Sequence, residues 1–293
     1  MSNGATPTTP PFTPAITPST FQSAYVHGTA PREQSRLSRL NTLINDSCIA
    51  ELQLASHPVQ RILDVGSGLG QLTRALARTA GSRVIGVEYS AEQVTEALRQ
   101  AREAGEEHLA EFRQGAAENL PLSAAERGSF DLVHTRFVLE HVQNPLAVVK
   151  EMVSAAKPGG RIVLSDDDHD VLRVWPEIPG LAPIWAAYQR TYDRLGCDPI
   201  IGRRLVSLLH EAGATPVRNS WVWFGSCSGD GLLPAYTDNL LGVIDTAKER
   251  MIGSGMTSEA AILALVDAAR AWAQRPDAAI WFAMAWAEGR RKA

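Results

Sequence analysis

Arg61–Thr73, "RILDVGSGLGQLT", brings an apolar run ending in Asp64 directly against three glycines at alternate positions, Gly66, Gly68 and Gly70. The run reads as a buried strand, and the amphipathic pattern from Gln71 onward reads as the helix that follows it. Glycines at such a turn let a ligand lie against bare main chain, and the free N–H groups of the next helix suit a negative group. Two details narrow the ligand. A dinucleotide fingerprint would need its third glycine at position 71, where this chain has Gln71. A carboxylate closing the strand repels phosphates and welcomes a ligand with an ammonium or sulfonium charge.

Working outward, the rhythm repeats. "RVIGVEY", "AEFRQG", "FDLVHTR" and "KPGGRIVLSD" read as further strands, and "AEQVTEALRQAREAG" and "NPLAVVKEMVSAA" as helices between them. Strands separated by helices in this way predict an α/β fold with a doubly wound parallel sheet. Upstream, Leu37, Leu40, Leu43, Ile44, Ile49 and Leu52 recur at helical steps, so one amphipathic helix or two end before His57-Pro58. Beyond Asp170 the rhythm breaks. "PIWAAYQRTYDRL", "GRRLVSLLHEAGA" and much of 230–274 read as helices, while "PVRNSWVWFGSCS" and "AAIWFAMAWAEGR" read as two more strands. These predict an antiparallel pair at one sheet edge, for seven strands in all, with helical insertions over one face. The expected organisation is a Thr/Pro-rich tail over 1–20, N-terminal helices over 21–57, a nucleotide-binding core over 58–170, and cap helices with the last strands over 171–293.

The 293 residues are 45% hydrophobic and 20% charged, with a formal net charge of −4. That balance gives no electrostatic reason to expect nucleic acid or an anionic membrane as partner. No apolar run approaches the ~18 residues of a membrane span. The N-terminus lacks the basic region and apolar core of a secretion signal, and its composition reads as disordered. Cys48, Cys197 and Cys227 are scattered and odd in number. They form neither a disulfide framework nor a zinc motif, so a reducing, cytoplasmic compartment is expected.

The second strand ends at Glu88, where a carboxylate can accept both hydroxyls of a ribose, and Tyr89 beside it can cover a purine face. A ribose, a base and a zwitterionic cationic tail together describe S-adenosylmethionine. The stretches "LDVGSGLGQLT", "VIGVEYS", "FRQGAAENLPL", "FDLVHTRFVLEHVQNP" and "KPGGRIVLSD" then resemble, in order and spacing, the motifs of class I S-adenosylmethionine-dependent methyltransferases. They are most similar to the small-molecule group that includes ubiquinone- and menaquinone-biosynthesis-type enzymes.

The resemblance implies a Rossmann-like sheet and a substrate cap. It implies that the turn Gly66, Ser67, Gly68 and Gly70 cradles the methionine moiety, Asp64 orients its amino group, and Glu88 holds the ribose. The backbone of Ala117 would meet the adenine ring. Ala116 stands where the family commonly has Asp, so Glu118 or water would replace that contact. Thr135 would offer its carbonyl to the cofactor ammonium. "YVHGTAPREQSRL" is similar to a family element that would set Tyr25 over the sulfonium, with a cation–π basis, and Arg36 near the cofactor carboxylate or a supporting acid.

Methyl transfer needs alignment above all, and a base only if the acceptor must lose a proton. His141, after the fourth strand, is the candidate base, and Asp166 at the end of the fifth is the candidate that orients it. "DDDHD", Asp166–Asp170, reads as a solvated loop rather than a metal site, and no metal is expected. Trp175, Trp185 and Tyr188 read either as the wall of a pocket for an aromatic or apolar small molecule or as core. Trp221 and Trp223 read as core or a subunit contact, and a homodimer is compatible with the sequence. Two rivals stay open: a non-catalytic S-adenosylmethionine-binding protein and a nicotinamide-dependent oxidoreductase.

Overall fold

A computed structural model describes His27, Gly28 and residues 30–293. The expectations for the tail over 1–20 and for Tyr25 lie outside the described residues. Helix α1 (Pro31–Leu52) comes first, followed by β1 (Ile62–Val65), α2 (Gln71–Ala80), β2 (Val84–Glu88), α3 (Ala91–Glu103) and β3 (Ala110–Gln114). Next come β4 (Phe130–Arg136), α4 (Pro145–Ala155), β5 (Ala156–Asp167), β6 (Arg173–Trp175), α5 (Leu181–Arg190) and α6 (Leu205–Glu211). The chain closes with β7 (Ala214–Cys227), α7 (Leu233–Gly253), α8 (Glu259–Trp272) and β8 (Ala279–Arg291).

Local signals account for the boundaries. Ser90, Asn144 and Ser258 each accept a main-chain N–H from the first turn of α3, α4 and α8, satisfying donors a helix start leaves open. Helix α2 stops at Gly81, whose left-handed conformation returns its N–H to Ala77 O. All four residues of β1 are buried, as befits a central strand with helices on both faces.

Strands β3, β2, β1, β4 and β5 run parallel in that order, and β8 then pairs antiparallel with β5. Strand β7 pairs antiparallel along thirteen residues of β8, with α7 and α8 inserted between the two. An eighth strand was not expected. Three-residue β6 pairs with Ala279–Trp281 of β8, on from the Asp166 and Asp167 pairings with Ala285 and Met284. It is therefore β5 resumed after a five-residue excursion, Asp168–Leu172.

Three apolar clusters hold the layers together. One joins β1, β4 and β5 to α4 and α6; a second joins α1 and α2 to Val222, Met284 and Trp286 on the opposite face. The third lies among α5, α7, α8 and Ile280, so the cap has a core of its own. Among the described residues, no helix is long and apolar enough to cross a membrane. The three cysteines are free.

Candidate functional site

One cavity of about 790 Å³ runs from the carboxyl ends of β1 and β2 to the inner faces of α5 and α7. Its first half is built largely from main chain. Gly66 and Ser67 both donate to Val87 O, at 2.8 and 3.0 Å, folding the turn back onto β2. Gly66 has φ +75°, and a Cβ there would sit 2.1 Å from Val138 Cγ2, so the position admits only glycine. Gly66, Ser67 and Gly68 line the cavity, and Ser67 Oγ is buried without a hydrogen-bond partner. Gly70 does not line it. A Cβ on Gly70, at φ +70°, would lie 2.3 Å from Phe112 Cζ, so this glycine serves the packing of the turn on β3.

Glu88 is fixed by amides on either side of it. Gly68 N donates to its Oε2 at 3.0 Å and Ser90 N to its Oε1 at 2.9 Å. Burial raises its carboxyl above the usual range, against the pull of those amides. Each oxygen keeps a lone pair for a further donor. Asp64 is engaged more fully: Thr73 Oγ1 donates to one oxygen at 2.6 Å, and His134 Nδ1 lies 3.0 Å from the other. Neither Thr73 nor His134 was singled out from sequence, and nothing in a strand pattern marks His134. Ala116, Ala117, Glu118 and the 43%-exposed Tyr89 complete this wall.

Thr135 differs from expectation. Its carbonyl accepts Ser165 Oγ at 3.0 Å, its own hydroxyl donates to Val65 O, and it is fully buried off the cavity wall. The last inward position of β4 belongs to the sheet, and Arg136 and Phe137 meet the cavity instead.

The second half is built from side chains far apart in sequence. Glu140 sits at its centre. His169 Nε2 lies 3.0 Å from Glu140 Oε2, Tyr192 donates to the same oxygen at 2.9 Å, and His141 Nε2 lies 3.4 Å from Oε1. Tyr188 joins Tyr192 through a 2.8 Å hydroxyl contact and meets His27 Nε2 at 3.2 Å, while His27 Nδ1 meets Thr246 Oγ1 of α7 at 2.6 Å. Burial alone would raise Glu140, but His141, His169 and the donated hydrogen bonds hold its carboxyl at about 2. Burial lowers both His141 and His27, the second well below the ordinary histidine range. Asp167 moves the other way, well upward, through burial and the charge of Glu140.

Asp166 does not reach a histidine directly. Its Oδ2 accepts the main-chain N–H groups of Val138 and Leu139 at 3.1 and 2.8 Å, and its Oδ1 that of Asp167 at 3.0 Å. It thereby anchors the single-turn helix Leu139–His141 that carries Glu140 and His141, and it orients them through the backbone.

The solvated-loop reading of "DDDHD" is overturned: Asp166, Asp167, Asp168 and His169 are buried, and only Asp170 is exposed. The cause is the resumption of the strand, which keeps these residues under α5. Arg203 clamps Asp168 with two bonds of 2.7 and 2.9 Å, and Trp185 Nε1 holds His169 O at 2.8 Å. Arg36 lines the same half of the cavity, bound to Glu33 through two nitrogens at 2.8 and 2.6 Å and to Asn239 at 2.9 Å. Trp185 and Tyr188 line the cavity too, whereas Trp175 is 65% exposed and does not. The remaining wall is apolar, with Phe224, Leu240, Val243 and Phe282 prominent. Sequence reasoning missed Glu140, Asp167, Tyr192 and His27.

Residues 63–164 match the methyltransferase domain family. The chain is 34% identical over 166 residues to an uncharacterized 37.1 kDa protein in transposon TN4556 of Streptomyces fradiae, covering 55% of this chain and 45% of that one. It is 35% identical over 155 residues to the ubiquinone biosynthesis O-methyltransferase of Xanthomonas campestris pv. campestris, covering 53% and 59%. The chain thus spans about half the length of the curated relatives it matches. Among solved structures, a putative methyltransferase from Bacillus halodurans C-125 superposes with a TM-score of 0.56 at 17% identity, over 84% of this chain and 100% of the other. At that identity the likeness concerns the fold.

Proposed function

We propose, from the match of residues 63–164 to the methyltransferase domain family, that the chain is a class I S-adenosylmethionine-dependent methyltransferase and moves a methyl group from that cofactor to an apolar or aromatic small molecule. The observation that carries the reading is the joining of two unlike sites in one cavity. A glycine turn and a ribose-type carboxylate line one end, and a buried histidine–carboxylate–tyrosine cluster within an apolar wall lines the other.

The cofactor, when bound, supplies an electrophilic methyl on a sulfonium. The chain's own work is placement. Glu88, held by the Gly68 and Ser90 amides, receives the ribose hydroxyls, while the bare backbone at Gly66 to Gly68 takes the amino-acid end. Asp64 lies beneath that turn and ties it to β4 through His134. Tyr89 covers the adenine, and Ala117 and Glu118 bound it.

On the other side the apolar wall seats the acceptor and excludes water, which raises the effective concentration of the reacting pair. His141, kept neutral by burial at neutral pH, accepts the acceptor's proton, and Glu140 beside it stabilises the cation that results. Arg36 and Glu33, on α1, tie this half to α7. The reaction releases S-adenosylhomocysteine.

Calorimetry with S-adenosylhomocysteine and, separately, NADH tests the cofactor assignment; saturable heat with the first alone is expected. Heat with NADH alone would turn the reading toward an oxidoreductase. Transfer of labelled methyl to a panel of phenols and other apolar hydroxyl compounds tests the reaction. Cofactor binding with no transfer to any of them would favour a non-catalytic binder.

A further inference from the structure

We propose that the five-residue excursion between β5 and β6 carries a divalent transition-metal site, with Asp167 and His169 as ligands and Glu140 as the carboxylate that orients the histidine. Two buried atoms there are without partners. His169 Nδ1 and Asp167 Oδ1 are both buried and make no hydrogen bond. They belong to residues that face one another, with His169 Nδ1 3.8 Å from Asp167 Oδ2. That gap is too long for a hydrogen bond. Bonds of about 2.1 Å from a nitrogen and an oxygen to one ion put the two donors about 3 to 4 Å apart, so the spacing suits an ion between them.

The tautomer of His169 follows from its other nitrogen. Nε2 lies 3.0 Å from Glu140 Oε2 whereas Nδ1 has no partner, so the tautomer that uses this contact carries its proton on Nε2 and presents the Nδ1 lone pair. A carboxylate behind the distal N–H of a ligating imidazole is the arrangement that fixes metal-binding histidines. One potential ligand atom from each of Glu140, Asp167 and His169 falls within 4.8 Å of the others; with Glu140 behind the distal nitrogen, Asp167 and His169 are the two protein ligands.

The loop is stiff enough to hold such a site. Arg203 grips Asp168, His169 N donates to Pro199 O at 3.1 Å, and Trp185 holds the His169 carbonyl. Asp167 and His169 both line the cavity, which leaves the remaining coordination positions to solvent or to an oxygen of the acceptor. A mixed nitrogen and oxygen set favours Mn²⁺, Fe²⁺, Co²⁺ or Zn²⁺ over Mg²⁺ or Ca²⁺. Metal binding itself does not depend on the methyl-transfer reading; only the acceptor's use of the ion does.

The test is Mn²⁺ titration of the full chain after chelator treatment, followed by electron paramagnetic resonance. One Mn²⁺ per chain is expected. Asp167→Asn and His169→Gln should each weaken binding at least about tenfold, while Asp170→Asn, on the exposed side of the same loop, leaves it unchanged. Calorimetry with S-adenosylhomocysteine on each variant checks that the fold is intact. Should His169→Gln fail to fold, Asp167→Asn decides alone. Less than stoichiometric uptake by the unmodified chain, or unchanged affinity in Asp167→Asn, overturns the proposal. A chain that binds Mn²⁺ but not S-adenosylhomocysteine would defeat the functional reading above and leave this one standing.

Discussion

The two ends of the cavity are built by opposite means. At the glycine turn, Glu88 is held by two main-chain amides that lie within twenty residues of it, and the shape of the wall is backbone. Around Glu140, residues between His27 and Tyr192 converge through side-chain atoms alone, and four separate segments must pack before the cluster exists. A wall made of main chain depends on the allowed conformation of one or two residues. A wall made of side chains depends on the whole cap, and can change its chemistry without moving the sheet.

The comparison predicts that damage at one end leaves the other intact, and the predictions run from the most severe change to the least. Gly66→Ala places a methyl group against Val138 at a left-handed backbone position. It should cost at least about 2 kcal/mol of stability and remove measurable S-adenosylhomocysteine binding, read from denaturant midpoints and calorimetry. Glu140→Gln removes the charge that supports the histidines. Methyl transfer should fall roughly 100-fold with S-adenosylhomocysteine affinity unchanged, and a parallel loss of affinity would show the two ends to be one unit.

Asp64→Asn keeps the shape but weakens the bonds from Thr73 and His134, with an expected cost of about 1–3 kcal/mol in thermal unfolding and a matching loss of cofactor affinity. The acid limb should report the side-chain end. His27 and His141 are lowered by burial, so the unfolded chain takes up protons first as pH falls. Their contribution is complete above about 6.5 and is lost below it, by roughly 1.4 kcal/mol per pH unit for each histidine until the folded chain also titrates. A histidine variant at either position should flatten that slope. Tyr89→Ala, at a half-exposed site, should weaken cofactor binding only several-fold, in line with about 0.5–1.5 kcal/mol for an aromatic contact.

The same contrast explains what sequence could disclose. Strand–helix alternation and the glycine turn after Asp64 were readable because their meaning is local. Thr135 was not, because whether a carbonyl at a strand end faces a ligand or a neighbouring strand depends on register with β5, and Ser165 takes it here. Gly70 was grouped with Gly66 and Gly68 by spacing alone, yet it answers to Phe112, forty-two residues on. The acids of Asp166–Asp168 were misread as a solvated loop because a run of charges normally faces water. The available signal was position: Asp166 and Asp167 close a central strand of a doubly wound sheet, and Asp167 lines the crevice at its carboxyl end. Glu140 was hidden by its neighbour. In "LEHV" the histidine draws attention as a base, while the carboxylate that organises it finds His169 and Tyr192 only after the chain has folded.

Strand β8 runs unbroken beside both β5 and β6, acting as a splint across the gap between them. Main-chain pairing on either side of Asp168–Leu172 is therefore complete whatever those five residues are. That span is therefore the part of the cavity wall whose length the pairing of the sheet constrains least.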